Sequence, residues 1–127
     1  MAASANNFAL LLDLAKEGSS EKRRELLRQI TDVFLAHPTD RSEKEAMLFD
    51  EIVGAVASDL ETQVRIELSR KVADSTGPLR RTARRLAMDE IEVARPVLER
   101  SRSLTESDIL EVIDKKSQDH MLAVTKR

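Results

Sequence analysis

The chain has 127 residues, 41% of them hydrophobic, a formal net charge of −2 and no cysteine, which excludes disulfides, thiolate metal sites and cysteine nucleophiles. It has no tryptophan or tyrosine, three phenylalanines and three glycines, which disfavours a β-sandwich, and its plentiful periodic apolar residues argue against disorder. We therefore expect one all-α domain over residues 1–127. Because the sequence has neither a basic leader nor an apolar run of about 18 residues, we expect a cytoplasmic protein with no membrane partner.

Apolar residues recur at helical spacing along the whole chain, and this pattern predicts about eight helices. In chain order the predicted helices cover about 5–16, 20–36 and 42–57, then a stretch from Asp59 to the break at Gly77, a fifth helix with Pro78 in its first position, and then about 89–100, 105–116 and 118–127.

Several helix starts carry a capping signal. Asp59 and Asp89 are expected to act as N-caps, and Thr105 with Asp108 resembles a capping box. Pro96 lies inside the sixth predicted helix, where it removes one backbone hydrogen bond and predicts a kink.

One pattern repeats within the chain. Residues 59–65 and 89–95 both begin with Asp and end with Arg, at an offset of 30, and a predicted helix pair follows each start. A third unit begins near Ser117. Periods of 20–50 residues are typical of solenoids, in which each helix pair buries its apolar face against the next. The repeat divides the chain into N-terminal capping helices, 1–58, and repeats, 59–127.

The repeated residues resemble HEAT repeats, in which an Asp and an Arg of the first helix form contacts between repeats and a proline kinks that helix. The resemblance implies structural roles between repeats for Asp59, Arg65, Asp89 and Arg95. It implies a right-handed HEAT/ARM-like α-solenoid whose N-terminal helices cap two to two-and-a-half helix-pair repeats. The first unit lacks the proline, and the third lacks the arginine.

A second resemblance covers most of the chain. The stretch 89–101, DEIEVARPVLERS, resembles the signature of a bacterial family known as domain of unknown function 2336, and residues 49–52, 61–73 and 117–124 also fit that family. The family has no established activity, so the resemblance implies a fold rather than a function. Its members usually continue further, which implies that this chain is either a fragment or a short member.

The most unusual surface feature is a cluster of four arginines, Arg80, Arg81, Arg84 and Arg85, on one face of the fifth predicted helix. Like charges four residues apart cost about 0.2–0.5 kcal/mol each, and cations in a first helical turn oppose the helix dipole. Two interpretations are open. The arginines are solvated and paired within the fold with glutamates at positions 61, 67, 90 or 92, or they bind an anionic partner, either an acidic protein face or a phosphate backbone.

Catalytic chemistry has little support in the sequence. His37 and His120 are the only histidines, and the acidic pair Asp50-Glu51 is expected to be a solvated helix face. No glycine-rich phosphate loop and no nucleophile motif occurs. We expect no enzyme, no cofactor and no metal site. The favoured function is a non-catalytic adaptor or scaffold that binds a protein partner, and the alternative is nucleic-acid (duplex backbone) binding through the arginines.

The last two predicted helices bear on self-association. The seventh helix is expected to bury Ile113, whereas the eighth presents Met121, Leu122 and Val124 with no predicted helix after it. Because a solenoid helix cannot bury its apolar face alone, we expect this surface to be covered by another copy of the chain, as a homodimer, or by further sequence.

Overall fold

The computed structural model describes residues 13, 16, 18–36, 43–57, 59–75 and 79–127. These residues form helices and turns without a strand, so the predicted all-α class is confirmed. The seven helices among them are α1 (Ser20–Ala36), α2 (Glu43–Ala57), α3 (Thr62–Ala73), α4 (Arg80–Ala87), α5 (Ile91–Arg100), α6 (Glu106–Lys115) and α7 (Gln118–Thr125).

The N-terminal predictions have different outcomes. The bounds of α1 and α2 agree with the predicted helices at 20–36 and 42–57 to within one residue. The helix predicted at 5–16 lies outside the described residues, except for Asp13 and Lys16, which are helical. Pro78 also lies outside them, and α4 begins after Leu79 rather than at Pro78.

Two predicted N-caps are wrong. The N-cap position of α3 is Glu61 rather than Asp59, and that of α5 is Glu90 rather than Asp89; neither glutamate side chain makes a capping hydrogen bond. In both turns the aspartate instead faces an arginine of an earlier helix, since Asp59 lies 3.7 Å from Arg23 and Asp89 lies 2.8 Å from Arg65. The carboxylates of Asp59 and Asp89, which the local pattern assigns to capping, therefore form ion pairs between helices.

The starts of the last two helices follow local sequence signals. Thr105 accepts the backbone N–H of Asp108, and the Asp108 carboxylate accepts the N–H of Thr105, which confirms the predicted capping box. Ser117 caps α7 by accepting the N–H of His120.

Helices two positions apart in the chain pack against each other. In one layer α1 packs on α3, α3 on α5 and α5 on α7, while in the other α2 packs on α4, and ion pairs join α4 to α6. The apolar core lies between these layers and includes Ile30, Val53, Leu98 and Val112, each with an exposed fraction of zero.

Candidate interaction surfaces

Two members of the arginine cluster form ion pairs with carboxylates of α6. Arg80 donates through Nη2 and Nε to the two oxygens of Asp108, at 3.1 and 3.2 Å. Arg84 donates through Nη2 to both oxygens of Glu111, at 2.9 and 2.8 Å, and its Nε lies 3.5 Å from Asp108. The Asp108 side chain is 2% exposed, so these two arginines neutralise a buried charge.

The partners of the cluster differ from those the sequence suggested. Arg84 and Arg80 pair with Glu111 and Asp108, whereas Glu61 lies 3.7 Å from Arg24, and Glu67 pairs with Arg28 of α1. Two of the glutamates expected to neutralise the cluster, Glu61 and Glu67, therefore lie near arginines of α1 instead. The other two, Glu90 and Glu92, make no ion pair among the described residues. The helix two positions along, not the helix next in sequence, supplies the compensating charge.

A buried carboxylate of α2 supports the N-terminus of the arginine helix. Asp50 is 5% exposed, and its oxygens accept the backbone N–H groups of Arg81 at 2.7 Å and of Thr82 at 2.6 Å. The expectation that Asp50 is solvated is therefore wrong, although Glu51 beside it is exposed. An anion at a helix N-terminus offsets the unfavourable interaction of Arg80 and Arg81 with the helix dipole.

The other two arginines face outward. Arg81 lies 3.9 Å from Glu51, and both side chains are more than half exposed, so this pair is weak. Arg85 is exposed and forms no ion pair with any residue that the structure describes. Its stem crosses α2 at Gly54, where a Cβ would lie 3.0 Å from Arg85 Cδ. Only half of the predicted anion-binding cluster is thus free of strong partners.

The pKa values of the acidic partners follow from this network. Burial on its own raises the pKa of Asp108, but hydrogen bonds from Thr105 and the hydrogen bond and charge of Arg80 outweigh burial and hold the pKa below its ordinary value of 3.8. The hydrogen bond from Arg84, followed by that from Lys115, lowers the pKa of Glu111. Both carboxyls are consequently ionised at neutral pH.

The repeated Asp and Arg residues divide into paired and unpaired members. Arg65 on α3 donates to Asp89 at 2.8 and 3.2 Å and also to the carbonyl oxygen of Leu60. This contact joins the first repeated unit to the start of the second. Arg95, by contrast, is exposed and makes no hydrogen bond or ion pair within the described part of the chain. The bridge expected of Arg95 is not formed there.

Two residues near the end of the chain hold α7 against α5 and were not anticipated from the sequence. His120 is 4% exposed, its Nε2 donates to the carbonyl oxygen of Asp89 at 2.8 Å, and its Nδ1 lies 2.6 Å from Ser117 Oγ. Arg127 donates to three carbonyl oxygens at the C-terminus of α5, and burial lowers the pKa of its guanidinium. The spacing of three residues between Ser117 and His120 is a local signal for the contact between their side chains.

Four large apolar side chains of the last two helices are exposed. The exposed fractions are 59% for Leu110, 36% for Ile113, 42% for Met121 and 54% for Leu122. The expected burial of Ile113 is therefore wrong. Val124 differs from Met121 and Leu122, because it is partly buried and packs against the core.

The direction of these side chains follows from helix geometry. Residues two apart lie about 200° apart around a helix. Asp108 and Glu111 contact arginines of α4. Leu110 lies two residues after Asp108, and Ile113 lies two residues after Glu111. They therefore lie on the side of α6 turned away from α4. By the same argument Leu122, two residues after His120, lies on the side of α7 turned away from α5.

The described residues lack two features, a cluster of metal-ligating side chains and a membrane-spanning helix. No group of three histidine, aspartate or glutamate side chains there could hold a metal ion, and no helix among them has the length and apolarity to cross a bilayer. No family model, curated protein or solved structure matches this chain, and its resemblance to the HEAT and bacterial families remains a prediction from its residues.

Proposed function

We propose that the chain is a non-catalytic adaptor or scaffold module, a right-handed HEAT/ARM-like α-solenoid that binds a protein partner on its helical surface. The packing of helices two positions apart supports the solenoid arrangement, because stacked helix pairs bury their faces against the next pair. The Arg65–Asp89 contact between units supports the same arrangement.

The observation that carries protein binding is the set of exposed apolar side chains on α6 and α7. Six large apolar side chains are exposed in the described residues, and four of them lie on these two helices: Leu110, Ile113, Met121 and Leu122. The other two, Val33 and Met47, lie on separate helices. A local concentration of exposed apolar side chains is typical of a protein interaction site, whereas single ones are ordinary.

The alternative, binding to the phosphate backbone of a nucleic-acid duplex, has weaker support. Arg80 and Arg84 are paired with carboxylates, which leaves Arg81 and Arg85 to meet phosphates. Binding of this kind falls steeply as salt rises. A salt titration with a DNA duplex tests it: affinity that is weak at low salt, or that Arg81→Ala/Arg85→Ala leaves unchanged, excludes this function.

Site-specific photo-crosslinking in cells tests the protein-binding function. A photoreactive amino acid replaces Leu122 or Leu110, and Met47 is the matched control because it is as exposed as Leu110, at 59%, but lies on α2. We expect a discrete adduct from positions 110 and 122 and none from 47. Equal adducts at all three positions, or none at 110 and 122, would contradict the proposal.

A further inference from the structure

We propose that the apolar end of the molecule binds a second copy of the same chain as a two-fold symmetric dimer. The apolar end is defined as Leu110 and Ile113 of α6 with Met121 and Leu122 of α7. This inference rests on the proposed protein-binding function and names the partner. Three features carry it: the pattern of helix packing, the direction of the apolar side chains, and the charges at the ends of both helices.

At the apolar end of the described structure, α6 and α7 each have a neighbour on only one side within their layer. Within each layer, an inner helix such as α3 or α5 contacts the helix two before it and the helix two after it. In the described part of the chain, α6 meets only α4 in its layer, and α7 meets only α5. Among the described residues no helix lies at the next position of either layer, where a second helix pair could pack in the same way.

The exposed apolar side chains lie where such a helix pair would pack. Leu110 and Ile113 are three residues apart, so they form one short ridge on the side of α6 opposite α4. Leu122 lies on the side of α7 opposite α5. A helix contact buries ridges of this kind in the grooves of the facing helix. Both layers thus present an apolar surface in the same direction.

The charges on α6 favour a second copy packed antiparallel to the first. Glu106 lies in the first turn of α6, and Lys116 is its C-cap. An antiparallel pair of α6 helices, with the two-fold axis between Leu110 and Ile113, sets Leu110 of one copy against Ile113 of the other. It also brings Glu106 of each copy toward Lys116 of the other, and it opposes the two helix dipoles.

The same complementarity holds on α7. Asp119 lies in its first turn and Lys126 is its C-cap, and both are exposed. An antiparallel arrangement about a centre near Leu122 brings Asp119 of one copy toward Lys126 of the other. Two-fold contacts require this kind of self-complementarity, since the same patch must serve on both sides. The apolar end satisfies the requirement in both helices.

Sedimentation equilibrium of the 127-residue chain over a range of concentrations tests the proposal. We expect a species of twice 14.3 kDa at high concentration. Leu110→Glu and Leu122→Glu should each raise the dimer dissociation constant at least tenfold, whereas Met47→Glu, at an equally exposed site on α2, should leave it unchanged. Circular dichroism shows whether each variant is folded. A chain that stays monomeric at every concentration, or a dimer that both leucine substitutions leave intact, would overturn the inference.

A charge exchange tests the arrangement itself. Glu106→Lys and Lys116→Glu should each weaken the dimer several-fold, and the double variant should regain most of the loss. A double variant that is no better than the single variants would overturn the antiparallel contact. The crosslinking experiment separates this inference from the broader function. An adduct of twice the chain mass at position 122 supports the dimer, whereas a monomeric chain with an adduct of another mass retains protein binding and overturns self-association.

Discussion

Asp50 and Thr82 join α2 to α4 through backbone and side chain together. The Asp50 carboxylate accepts the backbone N–H of Thr82 at 2.6 Å, and the Thr82 hydroxyl donates to the carbonyl oxygen of Asp50 at 3.0 Å. Both residues are buried. Because α4 has no side-chain cap of its own, a carboxylate from another helix satisfies N–H groups that every helix leaves free at its start.

Asp50→Ala should destabilise the protein by about 2–3 kcal/mol. The substitution removes the acceptor of two backbone N–H groups, and leaving buried groups without a partner costs more than the net value of the bonds. Urea denaturation measures the change in the free energy of unfolding. Glu51→Ala is the matched control, because Glu51 is adjacent but exposed, and it should change stability by less than about 0.5 kcal/mol. Equal effects at the two positions would contradict the capping role of Asp50.

Arg65 and Asp89 should show energetic coupling. Their side chains are 16% and 21% exposed, so the pair is better shielded from solvent than a surface pair. We expect Arg65→Met and Asp89→Asn each to cost on the order of 1–2 kcal/mol, and a double-mutant cycle to give a coupling of about 1 kcal/mol. Arg95→Ala should cost less than about 0.5 kcal/mol, because Arg95 is exposed and unpaired within the described residues. A larger effect at Arg95 than at Arg65 would reverse this assignment.

The four arginines should separate into two pairs in stability measurements. Arg80→Ala/Arg84→Ala removes both guanidinium partners of the buried Asp108 carboxylate, and we expect a loss of about 1–3 kcal/mol. Arg81→Ala/Arg85→Ala should leave stability within about 0.5 kcal/mol, because those side chains are exposed and weakly paired or unpaired in the described structure. Thermal and urea unfolding of the two double variants side by side provide the comparison, and similar losses in both would refute the division.

The stabilisation from Asp108 should depend on pH in a defined direction. Its pKa is lower in the folded chain than its ordinary value of 3.8, so its contribution is complete above that value and is lost as pH falls through the lowered one. The difference in unfolding free energy between the unmodified chain and Asp108→Asn should therefore shrink as pH falls from about 5 to about 2. Urea titrations at several pH values measure it. A difference that grows on acidification would mean that burial, not hydrogen bonding, dominates at this carboxyl.

Local sequence patterns predicted the helical class and most helix positions correctly. Apolar periodicity located α1, α2, α6 and α7 to within one or two residues, and the capping box at Thr105 formed as the pattern indicated. These features depend on residues three or four apart in the chain, whose geometry a helix sets on its own. The resemblance to HEAT repeats also implied a role between repeats for Arg65 and Asp89, but it did not indicate that these two residues pair with each other.

Which charges pair with each other depends on how the helices pack in space. Asp50 on α2 and Asp108 on α6 are buried because both contact α4. Each of their helices is two positions from α4 in the chain, and no local sequence pattern indicates such a contact. Arg95 and Ile113 also fit local patterns for structural roles. In the described structure, however, Arg95 is unpaired and Ile113 is exposed. Helical periodicity tells which residues share a face, but only the packing of the helices determines whether that face meets another helix or solvent.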